Sequence, residues 1–128
     1  MDTFSDRLIL LLFHFAFFLK VYSKDNDKKT LQDIYDYFFR QLELSIREIG
    51  YGDVSINKKM KDYINVFHGI VSEIHFWDKD SADDKKKKLS LFLSNFNNID
   101  YLVKYFDEYQ VNLMKNNLNY YLKSVVNQ

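Results

Sequence analysis

The sequence lacks cysteine and proline, and it holds only three glycines and one tryptophan among its 128 residues. Without cysteine there are no disulfides, no thiolate catalysis and no cysteine metal ligands. Without proline, no residue is obliged to kink or stop a helix. An excess of charge is also missing, because 18 Lys and Arg balance 18 Asp and Glu. A nucleic-acid-binding protein normally carries a basic face, so that class of protein is not expected either.

The longest apolar run, "LILLLFHFAFFL" at residues 8–19, is too short to span a membrane. A spanning helix needs about 20 predominantly apolar residues. A signal peptide would have a basic leader, whereas the run follows the acidic "MDTFSD". We therefore predict a helix buried on most of its faces, in which His14 is a hydrogen-bonded core histidine. Contact with a membrane surface is the alternative.

Helix signals recur along the chain, and strand signals do not. Thr3, Thr30 and Ser81 are each followed three residues later by an aspartate, a pattern similar to a capping box at a helix start. Apolar residues then recur at three- and four-residue spacings, which indicates amphipathic helices. The predicted helices begin near residues 3, 30, 53–55, 81 and 100, and the last stripe runs to residue 125. The sequence thus predicts a single compact all-α domain, residues 1–128, with about five helices and no sheet.

Two of the three glycines lie in "GYGD", residues 50–53, between the second and third predicted helices. Gly50 stands where a left-handed helix C-cap is wanted. Gly52 belongs to the tight connection that follows. Charged residues and a tyrosine surround this structural turn, and we name them the charged corner: Arg47, Glu48, Tyr51, Asp53, Lys58, Lys59 and Lys61. With Tyr51 exposed, the charged corner would suit partner binding, but ordinary solvation of helix surfaces explains it equally.

The sequence gives no positive reason to expect an enzyme. It has no phosphate-binding glycine loop, nucleophile elbow or paired-carboxylate motif. His68 and His75 are two helical turns apart, whereas zinc-binding histidines on a helix are more often three or four residues apart. We predict no catalytic residue, no cofactor and no metal, with a His68–His75 metal protein as the rival interpretation.

Two segments resemble the ubiquinol–cytochrome c chaperone family, whose members assist assembly of respiratory complex III by attending to newly made cytochrome b. In the segment 47–70 the matching positions are Arg47, Glu48, Ile49, Gly50, Gly52, Asp53, Lys58, Lys59, Lys61, Phe67 and Gly69. The segment 2–20 resembles the family's opening helix at Asp2, Thr3, Arg7, His14 and Leu19. The resemblance covers about residues 2–76.

This resemblance implies an all-α, non-catalytic assembly chaperone whose client is cytochrome b or another complex III component. The charged corner would hold a client or partner helix, and the first helix or a groove near it would meet hydrophobic client segments. The implied location is the inner face of the cytoplasmic membrane, or the mitochondrial matrix in a eukaryote. A second chaperone subunit and peripheral membrane contact stay open. A small structural subunit of a membrane complex is the alternative function.

The chain departs from the family pattern at two places. Family members usually carry a further segment before the "DT" position, whereas this chain begins one residue earlier at Met1, so either this form is short or its start has been trimmed. The position of His68 is commonly tyrosine in the family, which puts any role of that ring hydroxyl in question here.

Overall fold

The computed structural model describes residues 3–24 and 26–116, with the backbone alone at residues 3–5. These residues form five α-helices, one short 3-10 helix and no strand. The helices are α1 (Thr3–Tyr22), α2 (Lys28–Glu48), α3 (Asp53–Ile74), α4 (Ala82–Phe92) and α5 (Ile99–Lys115), and the 3-10 helix is Trp77–Lys79. The all-α prediction is therefore confirmed for the described part of the chain.

Helix α1 lies at the centre of the fold because its apolar residues point in every direction. Leu12, Phe13, Ala16 and Phe17 are each buried to within one per cent of full burial. A helix that is hydrophobic all round is stable only when other elements cover it. The rings of Phe13 and Phe17 pack on Phe106 of α5, with centroids 5.6 and 5.2 Å away.

Helices α2 and α3 cover another side of α1 mainly through aromatic rings. Phe15 of α1 stacks on Phe38 of α2 with ring centroids 4.0 Å apart. It also lies 5.4 Å from the ring of Phe67 on α3. The apolar spacing in the sequence predicts a buried face of α2 formed by Leu31, Ile34, Tyr35, Phe38, Leu42, Ile46 and Ile49. In the structure Phe39, which lies outside that face, is buried, and Ile49 is about half exposed.

The short helix after α3 holds the single tryptophan in the core. Trp77 is 1% exposed, and its Nε1–H donates to Asp107 Oδ1 of α5 over 2.8 Å. The same oxygen accepts from Lys85 Nζ of α4 at 3.0 Å. Because an unpaired indole N–H would be costly in the core, this arrangement fixes the 3-10 helix against both α4 and α5.

The structure confirms one of the predicted helix caps and contradicts another. Ser81 caps α4 as predicted, because its side chain accepts from the Asp84 amide. Helix α2 instead begins at Lys28, where Asp27 accepts from the Thr30 amide at 2.7 Å. That hydrogen bond lowers the pKa of Asp27. The cap predicted at Thr30 is therefore wrong, since a carboxylate three residues earlier takes its amide.

Helix α5 ends at Lys115, earlier than its predicted stripe. Asn116 has an extended backbone, and the Tyr22 hydroxyl donates to the carbonyls of Leu113 and Asn116 at 2.7 and 2.9 Å. A buried tyrosine from α1 thus satisfies carbonyls that continuing the helix would otherwise use. The rest of the predicted stripe, residues 118–125, lies outside the described residues, as does the side chain of the predicted cap at Thr3.

Candidate partner-binding surfaces

The turn between α2 and α3 uses its first glycine as predicted. Helix α2 ends at Glu48, and the amides of Ile49 and Gly50 donate to the carbonyls of Ile46 and Arg47. Gly50 has a φ of 105°, a conformation that side chains with a Cβ rarely adopt. Its role as a left-handed helix cap is therefore confirmed.

At the second glycine of the turn, neither the backbone conformation nor the packing requires a glycine. Gly52 is the N-cap of α3 with φ −74° and ψ 163°, which any residue adopts, and it provides no side-chain cap. An ideal Cβ built on it would meet no atom within 4 Å. From the sequence, Asp53 and Ser55 are the side chains expected to cap the third helix. That prediction is wrong, because α3 already includes both residues.

Arg47 and Asp53 of the charged corner pair with each other across the turn. Arg47 Nη1 donates to Asp53 Oδ1 at 2.7 Å, and its Nη2 lies 3.5 Å from Glu43 Oε1. The hydrogen bond to Asp53 raises the pKa of Arg47 above its already high value, aided by the charges of Asp53 and Glu43. The pair joins the end of α2 to the start of α3, so neither side chain is free in this conformation.

Tyr51 is half-buried, which corrects the prediction of an exposed tyrosine. It packs against the core, and Lys59 Nζ lies 4.5 Å from its ring centroid. A lysine ammonium over an aromatic face makes a modest cation–π interaction. Tyr51 and Lys59 therefore cover each other, because Lys59 lies in the second turn of α3 and its long side chain reaches back to the loop that precedes the helix.

Lys58 and Lys61 of the charged corner share one exposed face of α3 with Val54. Lys58 and Lys61 are exposed as predicted, and Val54 is 85% exposed. Their spacing of four and three residues places Val54, Lys58 and Lys61 in one row. Sequence reasoning missed Val54, although it is an apolar residue outside the buried stripe of its helix. Glu48 is also exposed, beside half-exposed Ile49.

A shallow apolar depression, which we name the side groove, lies beside α1. Its volume is about 330 Å³. It is lined by Leu11, His14, Phe15 and Phe18 of α1, Ile34, Tyr37, Phe38 and Gln41 of α2, and Tyr109 of α5. Leu11 is 46% exposed and Tyr37 is 64% exposed. The structure thus provides a groove beside the first helix, with exposed apolar side chains at its edge.

His14 closes one side of this groove and is fully engaged. Its Nδ1 lies 2.7 Å from the Leu10 carbonyl, and its Nε2 lies 2.6 Å from the Tyr105 hydroxyl. Because a carbonyl can only accept, Nδ1 donates and Nε2 accepts from the tyrosine. The prediction of a hydrogen-bonded histidine is confirmed, and the ring joins α1 to α5.

A much larger depression, which we name the end cleft, lies where α1 and α5 end. Its volume is about 1430 Å³. Residues from α1, the start of α2, the end of α3, the 3-10 helix and the end of α5 line it. His68 and His75 are among them, and His68 Nε2 lies 3.3 Å from the Tyr35 hydroxyl. Within the described residues, no group of three potential metal ligands occurs.

One carboxylate in the end cleft is held by two neighbours. Lys20 Nζ lies 3.0 Å from Asp78 Oδ2, and Gln110 Nε2 donates to Asp78 Oδ1. Burial alone would raise the pKa of Asp78, but these hydrogen bonds and the charges of Lys20 and Lys85 outweigh it and lower the pKa. Asp78 is therefore ionised at neutral pH and already paired within the fold.

The family of the chain follows from its similarity to known proteins, and its helices bear on whether it spans a membrane. Among the described residues, no helix is both long enough and apolar enough to cross a membrane. Curated proteins and solved structures give no match to the chain. A family model described as ubiquinol-cytochrome C chaperone matches residues 1–95. The match includes α1, α2, α3 and the charged corner and extends over more than half of the sequence, so the chain belongs to the ubiquinol-cytochrome C chaperone family.

Proposed function

We propose that this protein is a non-catalytic assembly chaperone that binds newly made cytochrome b during the biogenesis of complex III. The family match over residues 1–95 carries the proposal, because it supports a general role in complex III assembly. Cytochrome b as the client is the finer step. The proposed place of action of the chaperone is the inner face of the membrane that holds complex III.

The side groove supports the binding of an apolar client segment. Its lining is almost entirely apolar, and Leu11 and Tyr37 keep large exposed fractions at its edge. Concave and mostly apolar surfaces are typical of binding sites. A volume of about 330 Å³ accepts a few side chains rather than a whole helix. A client helix would therefore lie across the groove and insert the side chains of one face.

The charged corner supplies the second contact in this proposal. The exposed row of Val54, Lys58 and Lys61 offers one apolar and two cationic groups to a partner. Arg47 and Asp53 act indirectly, because their ion pair joins α2 to α3 and so fixes the direction of that row. Rim charges of this type mainly govern specificity and association rate.

Affinity capture from the native cells in gentle detergent tests the proposal. We expect the tagged protein to retain cytochrome b without the other complex III subunits. The variant Lys58→Glu with Lys61→Glu should capture less cytochrome b at an unchanged melting temperature. Lys87→Glu with Lys104→Glu is the matched control, because both lysines are exposed and the change in charge is the same.

Two results would contradict the proposal. Recovery of the tagged protein only with complete, haem-loaded complex III would indicate a permanent structural subunit. Stoichiometric zinc or iron in the purified protein would favour the rival use of His68 and His75. A fall in both capture and melting temperature in the Lys58 and Lys61 variant would assign those lysines to the fold.

A further inference from the structure

We propose that the end cleft is a docking site for a helical peptide segment whose apolar face is flanked by acidic side chains. This site is separate from the charged corner and the side groove. It concerns the chemistry of a protein partner and does not depend on whether cytochrome b is the client.

Exposed apolar side chains line the end cleft. Phe76 is 58% exposed, Met114 is 67% exposed and Val71 is 38% exposed. Beneath them, Ile74 and Leu113 are almost completely buried. These residues come from α3, the residues just after it and α5. The exposed apolar surface therefore lies where the ends of two helices come together. An apolar surface inside a concavity matches the apolar face of an amphipathic helix.

Most of the charged residues around this apolar lining are lysines. Lys24, Lys79 and Lys115 are exposed, line the cleft, and form no ion pair with any residue that the structure describes. Asp78 is the single acidic residue among the described lining residues, and Lys20 and Gln110 already hold it. Among the residues that the structure describes, these three lysines have no ionic partner beside the apolar lining. Electrostatic complementarity selects an acidic partner and disfavours a basic one.

Two other occupants fit these observations less well. A membrane with anionic lipids would attract the same lysines, but a flat surface would leave an apolar lining in a concavity of about 1430 Å³ without contact. The chain's own segment 117–128 follows the last described residue of the cleft, but it contains one charged residue, Lys123, and no acidic residue. The unpaired lysines thus favour a separate protein segment.

Fluorescence anisotropy with the full chain and two labelled synthetic peptides tests this inference. Both peptides have about 16 residues, roughly four helical turns, and the same leucine face. One has glutamates beside that face and the other has lysines. We expect the acidic peptide to bind about tenfold more tightly than the basic one, a difference of about 1.4 kcal/mol. Its affinity should fall as the salt concentration rises from about 0.05 to about 0.3 M.

Variants locate the binding to the end cleft. Lys24→Glu with Lys79→Glu and Lys115→Glu should weaken the acidic peptide by at least about tenfold. Arg40→Glu with Lys87→Glu and Lys104→Glu, the same charge change at exposed positions outside the cleft, should leave its affinity within about twofold. Phe76→Ser should weaken binding severalfold, and Tyr101→Ser, which removes a similarly exposed ring from α5, should not.

Several outcomes would overturn the inference. Equal binding of both peptides would show that the three cleft lysines do not favour an acidic partner. An unchanged affinity in the triple cleft variant would place the peptide elsewhere. Binding to anionic phosphatidylglycerol vesicles that the same triple variant abolishes, with no peptide binding by the native chain, would assign the cleft to a membrane surface. None of these results bears on cytochrome b capture, so the two proposals fail independently.

Discussion

Most aromatic side chains around α1 are buried, whereas most residues in the turn between α2 and α3 are exposed. The core around α1 is stabilised by contacts between aromatic side chains of all five helices, such as Phe13 with Phe92 and Phe106. The turn is stabilised by one left-handed glycine, a surface ion pair and a lysine over a tyrosine. The fold around the turn depends on these few contacts, so exposed side chains outside them, such as Lys58 and Lys61, are available for binding.

Truncating a core ring should give the largest effect. Phe106→Ala removes a fully buried ring that contacts Phe13, Phe17 and His14. We expect a loss of about 3–5 kcal/mol in the free energy of unfolding, measured by urea denaturation. A loss below about 1 kcal/mol would contradict the description of α5 as a core helix.

The first glycine should give the next largest effect. Gly50→Ala forces a Cβ into a backbone with φ of 105°, and we expect a loss of about 1–2 kcal/mol. Gly52→Ala is the matched control, because its φ is negative and its added Cβ meets nothing. Equal losses at both positions would remove the distinction between the two glycines.

The second glycine offers a small gain. Gly52→Ser would give α3 the side-chain N-cap that it lacks. We expect a stabilisation of about 0.5 kcal/mol, seen as a higher urea midpoint. If this variant also loses captured cytochrome b, the glycine is kept for close approach of the client. A destabilised Gly52→Ser protein would instead mean that the space around Gly52 is smaller than described.

Charge reversal on α3 should have the smallest effect on stability. Lys58 and Lys61 are exposed, and neither forms an ion pair with a described residue. Lys58→Glu with Lys61→Glu should therefore change the free energy of unfolding by less than about 0.5 kcal/mol, as measured by thermal denaturation. A larger loss would show that the exposed row supports the fold.

The sequence predicted those parts of the fold that depend on neighbours along the chain. The helical spacing of apolar residues predicted α1 and α3. Ser81 predicted the start of α4, and Gly50 predicted the end of α2. Short-range competition explains the wrong caps, because Asp27 takes the amide assigned to Thr30. A capping rule that considers one residue at a time cannot decide whether Asp27 or Thr30 caps the helix.

The candidate surfaces were less predictable because they depend on how separate helices and the turns between them fold against one another. The pairing of Arg47 with Asp53 and the cover of Tyr51 by Lys59 depend on how the turn folds back. The end cleft brings Lys24 near residues of α3 and α5, and no periodicity relates those positions. The family resemblance found the segment that contains the charged corner, but it gave no indication of the cleft.

A pulse-chase capture experiment tests the central claim most directly. Newly made proteins are labelled briefly in the native cells, and the tagged chain is isolated during the chase. The account predicts that labelled cytochrome b is bound first and then released as labelled complex III accumulates. Labelled cytochrome b that never binds, or that stays bound within mature complex III, would contradict it.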